Sequence, residues 1–263
     1  MDLGLSHEHA LVIGASEGIG YECAKGLLEE GADVAICSRS VDKLDAAARR
    51  LEQACGHAVP YCNADIMKAT DVDRLAAWVR GRGEPLDVLV VAVGGSRRAR
   101  FEELDDAAWL ENYEFNVLGV VRAVRGLLPM LQQAQAGRIV ILGAAGARMP
   151  YPNQVVSNVH KAGLIALVKT LAAEFAPYNI RVNSVSPGRT LTSLWTTRAD
   201  KLAAERGVTA ESVIEEFTHE IPMGRFGRPE EIAAMAVFLA SHKASYVTGQ
   251  SILVDGGIAR GLV

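Results

Sequence analysis

The run Gly14-Ala15-Ser16-Glu17-Gly18-Ile19-Gly20 is the first place where this sequence carries chemistry. It follows a short apolar segment, Ala10–Ile13, and opens a stretch from Tyr21 to Glu30 whose apolar residues stand three and four apart. A glycine turn between a strand and a helix lets the main chain approach a pyrophosphate closely, while free N–H groups and the positive end of the helix dipole face it. Without that context the run would be an ordinary turn. With it, Gly14, Ser16, Gly18, Ile19 and Gly20 are the expected contacts of a nucleotide. An acidic residue at the end of the second strand, about 20 residues on, would bond the ribose 2′-hydroxyl of NAD. This chain has Ser38-Arg39 there, and a neutral residue followed by a guanidinium admits a 2′-phosphate. NADP(H) is therefore expected over NAD(H). Arg39 also suits a surface residue capping the next helix, and Glu17 would oppose a phosphate nearby.

These residues need a frame. Short β-branched runs recur at Ala10–Ile13, Asp33–Cys37, Ala58–Cys62, Val88–Val93, Arg138–Leu142, Arg181–Val185 and Ser251–Val254, and read as buried strands. Helical spacing occupies Tyr21–Glu30, Lys43–Ala54, Val72–Arg80, Trp109–Leu128, Val159–Phe175 and Glu230–Leu239. Strands apolar on both faces, alternating with helices, give an α/β fold: a Rossmann-type, doubly wound parallel sheet. No linker or repeat divides residues 1–263, so one dinucleotide-binding domain is expected. The rhythm breaks at Arg189–Pro229, where Lys201–Arg206 and Glu211–His219 are amphipathic and no strand appears. Such an insertion reads as a substrate lid over 189–229.

Bulk properties narrow the chemistry. Lys and Arg number 27 against 31 Asp and Glu, a net charge of −4, which leaves no positive field for nucleic acid or anionic lipid. A small-molecule substrate is the expected partner. The cluster Arg97, Arg98 and Arg100 is too short for a nucleic-acid patch, though it suits steering of an anionic substrate. Cys23, Cys37, Cys55 and Cys62 lack CxxC spacing, which fits small core residues in a reducing cytoplasm better than zinc ligands or disulfides. The sequence shows no secretory n-region and no apolar stretch read as spanning a bilayer, so no membrane association is expected. No metal site, carboxylate pair or Ser-His-Asp motif stands out.

The order Gly14-x-x-x-Gly18-x-Gly20, Asp65, Asn116, Lys161, Asn183, Pro187-Gly188 and Asp255-Gly256-Gly257 resembles the short-chain dehydrogenase/reductase family, nearest its 3-oxoacyl-acyl-carrier-protein reductase branch. The resemblance runs to Tyr246-Val247-Thr248-Gly249-Gln250 and covers nearly the whole chain. It implies an NADP(H)-dependent oxidoreductase and a homotetramer. Asp65 would bond the adenine and Thr192 the nicotinamide carboxamide, with Gly94, Lys161, Pro187 and Gly188 completing the cofactor site. On the residues alone, Asp65 is equally a turn or capping residue and Thr192 a loop hydroxyl.

The family's chemistry uses Asn, Ser, Tyr and Lys. Asn116 and Lys161 match in context, but Ala144 stands where serine would end the fifth strand, and Ser157 stands four residues before Lys161 in place of tyrosine. Alanine holds no oxygen. Ser157 shares a helix face with Lys161, yet an aliphatic alcohol is a weaker acid than a phenol and shorter. The family's Asn-Asn-Ala-Gly is Val91-Ala92-Val93-Gly94, and its glycine-loop threonine is Ile13. Three groups compete to replace the lost acid: His160, with a suitable pKa but turned about 100° from Lys161; Tyr151, between two prolines; and Lys161 itself, if neighbouring groups lower its pKa. The candidate catalytic set is Asn116, Ser157, His160 and Lys161.

Three functions follow. The first is an NADP(H)-dependent carbonyl reductase with a rearranged proton donor. The second is a lyase, dehydratase or isomerase on the same scaffold, since a fold does not fix a reaction. The third is an inactive subunit of a hetero-oligomer. Retention of the nucleotide loop, Asn116 and Lys161 favours the first, and apolar Leu191, Leu194, Trp195, Ile214, Phe217 and Met223 in the insertion favour a partly apolar ligand.

Overall fold

Along the first strand, β1 (His9–Ile13), Leu11 and Ile13 join the apolar core on one side of the sheet, and Ala10 and Val12 join the core on the other. A strand dry on both faces has to lie between two layers of helices. The computed structural model, described over residues 2–261, shows that arrangement. From β1 the chain runs through α1 (Gly18–Glu29), β2 (Asp33–Ser38), α2 (Val41–Cys55), β3 (Tyr61–Asn63), α3 (Ala69–Gly81) and β4 (Val88–Val91). It continues through α4 (Asp106–Tyr113), α5 (Gly119–Leu131), β5 (Arg138–Leu142), α6 (Val155–Phe175) and β6 (Arg181–Pro187). It then passes α7 (Ser193–Arg206), α8 (Ala210–Thr218), α9 (Pro229–Ala240) and β7 (Ser251–Val254).

The strands are all parallel, in the order β3-β2-β1-β4-β5-β6-β7. Leu75 of α3, Leu127 of α5 and Val168 of α6 cover one face, and Leu27 of α1, Leu44 of α2 and Ala236 of α9 cover the other. The winding reverses between β1 and β4, so the connections after these strands leave in opposite directions and open a crevice at their carboxyl ends. The glycine loop after β1 and Gly94 after β4 face each other across it.

Three expectations need correction. The third strand covers Tyr61–Asn63 and not Ala58–Cys62, because at the sheet edge only three residues pair with β2. The helix expected over Trp109–Leu128 is α4 and α5 joined by a π-helical turn, Glu114–Leu118, whose extra residue has no local sequence signature. Finally, Val155–Tyr178 is long and apolar enough by length and composition to cross a membrane, contrary to expectation. Leu164, Val168, Ala172 and Phe175 of this segment lie in the core, which accounts for that composition. The insertion is folded: α7 and α8 pack through Ala199, Ala203 and Val213. Its two ends are tied together, Leu191 N–H donating to Gly227 O at 2.8 Å and Gly227 N–H to Arg189 O at 2.9 Å.

At the opposite, amino-terminal end of the strands, buried Arg138 pairs with Glu8, and its Nη2 lies 2.6 Å from His242 Nε2. Burial would raise the Glu8 carboxyl, but hydrogen bonds with Arg138 and His242 outweigh it and hold the group below its usual value of 4.5. The stabilisation is therefore present above that value and is lost as pH falls through the lower folded one. Glu8→Gln leaves the buried guanidinium short of counter-charge. Thermal denaturation at neutral pH is expected to show a loss of about 2 kcal/mol, shrinking in acid.

Candidate active site

Close main-chain packing shapes the nucleotide groove. Gly14 has φ +87°, and a Cβ there would lie 2.5 Å from Ala92 O; one on Gly20 would lie 2.2 Å from Gly14 O. Only glycine fits either position, so the loop lies directly against the end of β4. No side chain caps the N-terminus of α1, which leaves its first amides for an anion. The groove, about 430 Å³, is lined by Gly14, Ser16, Gly18, Ile19, Gly20, Ser38, Arg39, Asp65, Gly94 and Thr192. The residues present fit a dinucleotide. At its β2 end Arg39 is exposed with its guanidinium 5.5 Å from the Phe115 ring centroid, and Lys43 Nζ lies 3.0 Å from Glu17 Oε1, so the acidic charge of Glu17 has a partner. Asp65 Oδ1 accepts from Met67 N–H at 3.1 Å and holds the turn after β3.

A second cavity of about 520 Å³ adjoins the first, and Ile19, Gly94 and Thr192 line both. Ala144, Tyr151, Ser157, Lys161, Pro187 and Gly188 are in its wall. Every residue expected to contact cofactor thus lines one of two adjoining cavities.

Lys161 is the buried cation at the junction. Its Nζ donates to Leu142 O at 3.0 Å and Val93 O at 3.4 Å, bridging the ends of β5 and β4. Burial brings its pKa down to about 8. A Cβ on Gly94 would lie 2.5 Å from that Nζ, so glycine at this position lets the ammonium reach the strand end.

Asn116 sits in the π-helical turn and is fully buried. Its Nδ2 donates to Gly95 O at 3.0 Å and its Oδ1 accepts from Gly95 N–H at 3.2 Å, which fixes the loop after β4. The same Nδ2 reaches Asn112 Oδ1 at 3.1 Å, and His160 Nδ1 lies 2.9 Å from that oxygen. His160 is packed edge-on against Trp109 and Tyr113, burial lowers its pKa, and neither it nor Asn116 lines either of these two cavities. Ser157 and Lys161 face the cavity together, while His160 faces α4.

The family profile described as Enoyl-(Acyl carrier protein) reductase matches residues 14–259. The 3-oxoacyl-[acyl-carrier-protein] reductase of Thermotoga maritima is 34% identical over 94% of this chain and 96% of its own. The chain belongs to the short-chain dehydrogenase/reductase family. Among its solved members, L-sorbose reductase from Gluconobacter frateurii, complexed with NADPH and L-sorbose, superimposes with a TM-score of 0.96 at 35% identity over 100% of both chains. An NADPH-bound short-chain oxidoreductase from Pseudomonas aeruginosa PAO1, described as containing an atypical catalytic center, gives 0.90 at 33% identity over 97% of both.

In this short-chain dehydrogenase/reductase, sequence reasoning missed part of the second cavity. Arg189 and Arg198 line it beside Arg98, whereas Arg97 and Arg100 pair outside it with Glu111 and Glu102. Pro187-Gly188 before Arg189 reads as part of the cofactor site instead, and nothing local marks Arg198.

Proposed function

We propose that this protein is an NADP(H)-dependent oxidoreductase that moves a hydride between cofactor and a carbonyl or alcohol carbon, with Lys161 in place of tyrosine as the proton source. The observation that carries this reading is the buried Lys161 ammonium at the junction of the two cavities, with a pKa near 8. Its NADPH-bound relatives support the cofactor assignment. When bound, the cofactor supplies the hydride. The loop of Gly14, Ser16, Gly18, Ile19 and Gly20 would hold the diphosphate, Ser38 and Arg39 the 2′-phosphate, Asp65 the adenine, and Gly94, Pro187, Gly188 and Thr192 the nicotinamide end.

Ser157 Oγ offers the substrate oxygen a hydrogen bond and passes on the proton of Lys161, one helical turn away. Tyr151 is the weaker candidate because burial raises its pKa further, opposed only in part by Arg189. Asn116 is a positioning residue that fixes Gly95, and His160 acts through Asn112 on Asn116. Residues 189–229 roof the substrate cavity and are read as its lid.

Steady oxidation of NADPH with a panel of ketones tests the reading, and a purified protein inert to all of them refutes it. Arg39→Ala is expected to lower the preference for NADPH over NADH by about tenfold, read as the ratio of kcat/KM values, because a guanidinium–phosphate contact is lost. We also propose a homotetramer in a reducing cytoplasm. Exposed Leu110 and Tyr113 on α4 and Val159 on α6 support an interface there, and all four cysteines are free. Light scattering that returns a monomer would refute the assembly.

A further inference from the structure

We infer that the substrate carries an oxyanion, a carboxylate or a phosphate ester, and that Arg98, Arg189 and Arg198 hold it in the second cavity. The inference rests on reading that cavity as the substrate side of the reductase. The three arginines come from the loop after β4, the loop after β6 and helix α7, and all three line the cavity. Their guanidinium carbons stand 5.6, 5.2 and 4.5 Å from the ring centroid of Trp195, so one indole carries three cations.

The charge is not balanced by the protein. Among the described residues only Arg189 of the three has an ion-pair partner, Glu220. Arg98 has a neutral partner: the Gln154 amide oxygen accepts from its two terminal nitrogens at 2.9 and 3.1 Å, while the amide nitrogen donates to Ser96 Oγ at 3.0 Å. Aromatic faces attract guanidinium groups, by about 0.5–2 kcal/mol each, but do not cancel their charge. Burial, and then repulsion from neighbouring arginines (Arg198 and Arg189 on Arg98, and chiefly Arg189 on Arg198), bring the pKa of both Arg98 and Arg198 down to about 10.

Donors are also left over. Arg189, only 7% exposed, has a buried Nε without a partner, and Arg198 Nη1 and Tyr151 Oη are likewise buried and unsatisfied. Buried donors without acceptors are costly, and a carboxylate or phosphate oxygen is the acceptor that guanidinium groups recognise most strongly. A neutral substrate would leave three cations facing one carboxylate. An oxo acid or a phosphorylated ketone would answer the excess, with its reacting carbon toward Ser157 and Lys161.

Calorimetry with the full chain tests this, using sodium malonate, inorganic phosphate and the neutral control malonamide. Malonate or phosphate is expected to bind and malonamide not to bind; tighter malonate indicates a carboxylate substrate, tighter phosphate a phosphate ester. Arg198→Met is expected to weaken binding at least about tenfold. Glu220→Gln is expected to tighten it severalfold, because it removes the carboxylate that competes for Arg189, and a misfolded variant would not gain affinity. Failure of both anions to bind overturns the inference. So does binding indifferent to both substitutions, which would place the anion elsewhere, such as at the nucleotide loop. None of these measurements needs cofactor turnover. A protein that binds malonate in this way yet never oxidises NADPH would refute the reductase reading and leave the anion site standing.

Discussion

Lys161→Met is expected to leave the fold intact while lowering kcat for carbonyl reduction by about a thousandfold, the range that a positioned acid contributes. Methionine matches the length of the lysine stem and fills the same buried space between the ends of β4 and β5. The variant leaves Leu142 O and Val93 O without their donor, which costs about 1–2 kcal/mol, but it also removes a buried ammonium with no carboxylate beside it. The two changes oppose each other, so circular dichroism and thermal denaturation should find a folded protein.

Two pH measurements separate proton donation from mere positioning. If the ammonium is the acid, reduction by the parent enzyme is fastest below about pH 8 and declines about tenfold per unit above it, and oxidation of the alcohol shows the mirror image. Stability moves too. Unfolded lysine keeps its proton up to 10.5, whereas the buried one loses it near 8, so the unfolded state binds more protons in that window and stability climbs with pH across it. The methionine variant should lack this rise. A variant with raised KM for NADPH but an unchanged pH profile of kcat would assign Lys161 to holding cofactor and refute it as the acid.

How far these residues could be read from sequence depends on whether their geometry is local. The glycine loop was legible because three glycines between a strand and a helix determine their own main-chain path, and Gly14 and Gly20 touch backbone only a few residues away or on the adjacent strand. The opposite aims of His160 and Lys161 were legible for the same reason, since neighbours on a helix diverge by about 100°. The π-helical turn was not, because inserting one residue into a helix changes register without changing composition. It is this turn that carries Asn116 to Gly95 and lets Asn112 link it to His160. The arginine wall was illegible for a different reason. Arg98, Arg189 and Arg198 lie up to a hundred residues apart, and only the reach of β4, β6 and α7 over one end of the sheet brings them to Trp195. The basic cluster visible in the sequence pointed to an anion while naming two residues, Arg97 and Arg100, that are committed to surface pairs.

Ala144→Ser combined with Ser157→Tyr is expected to raise kcat/KM for ketone reduction by about a hundredfold, at the low end of what a well-placed acid supplies. Both positions line the second cavity, so the new hydroxyl and phenol would project into open space of about 520 Å³ and not into the core. A tyrosine at this position lies one turn from Lys161 on the same helix face, where a protonated lysine lowers a phenol's pKa by favouring its ionised form. The serine would then hold the substrate oxygen that Ala144 cannot. Neither single change restores both functions, so each alone should gain much less than the pair, an excess over additivity expected of groups that share one oxygen. The pH profile of reduction should also move, since the phenol and not the ammonium would then meet the substrate. A double variant that binds NADPH as the parent does, yet reduces no ketone faster, would show that proton supply is not what limits this site, and attention would pass to the fit of the substrate against Arg98, Arg189 and Arg198.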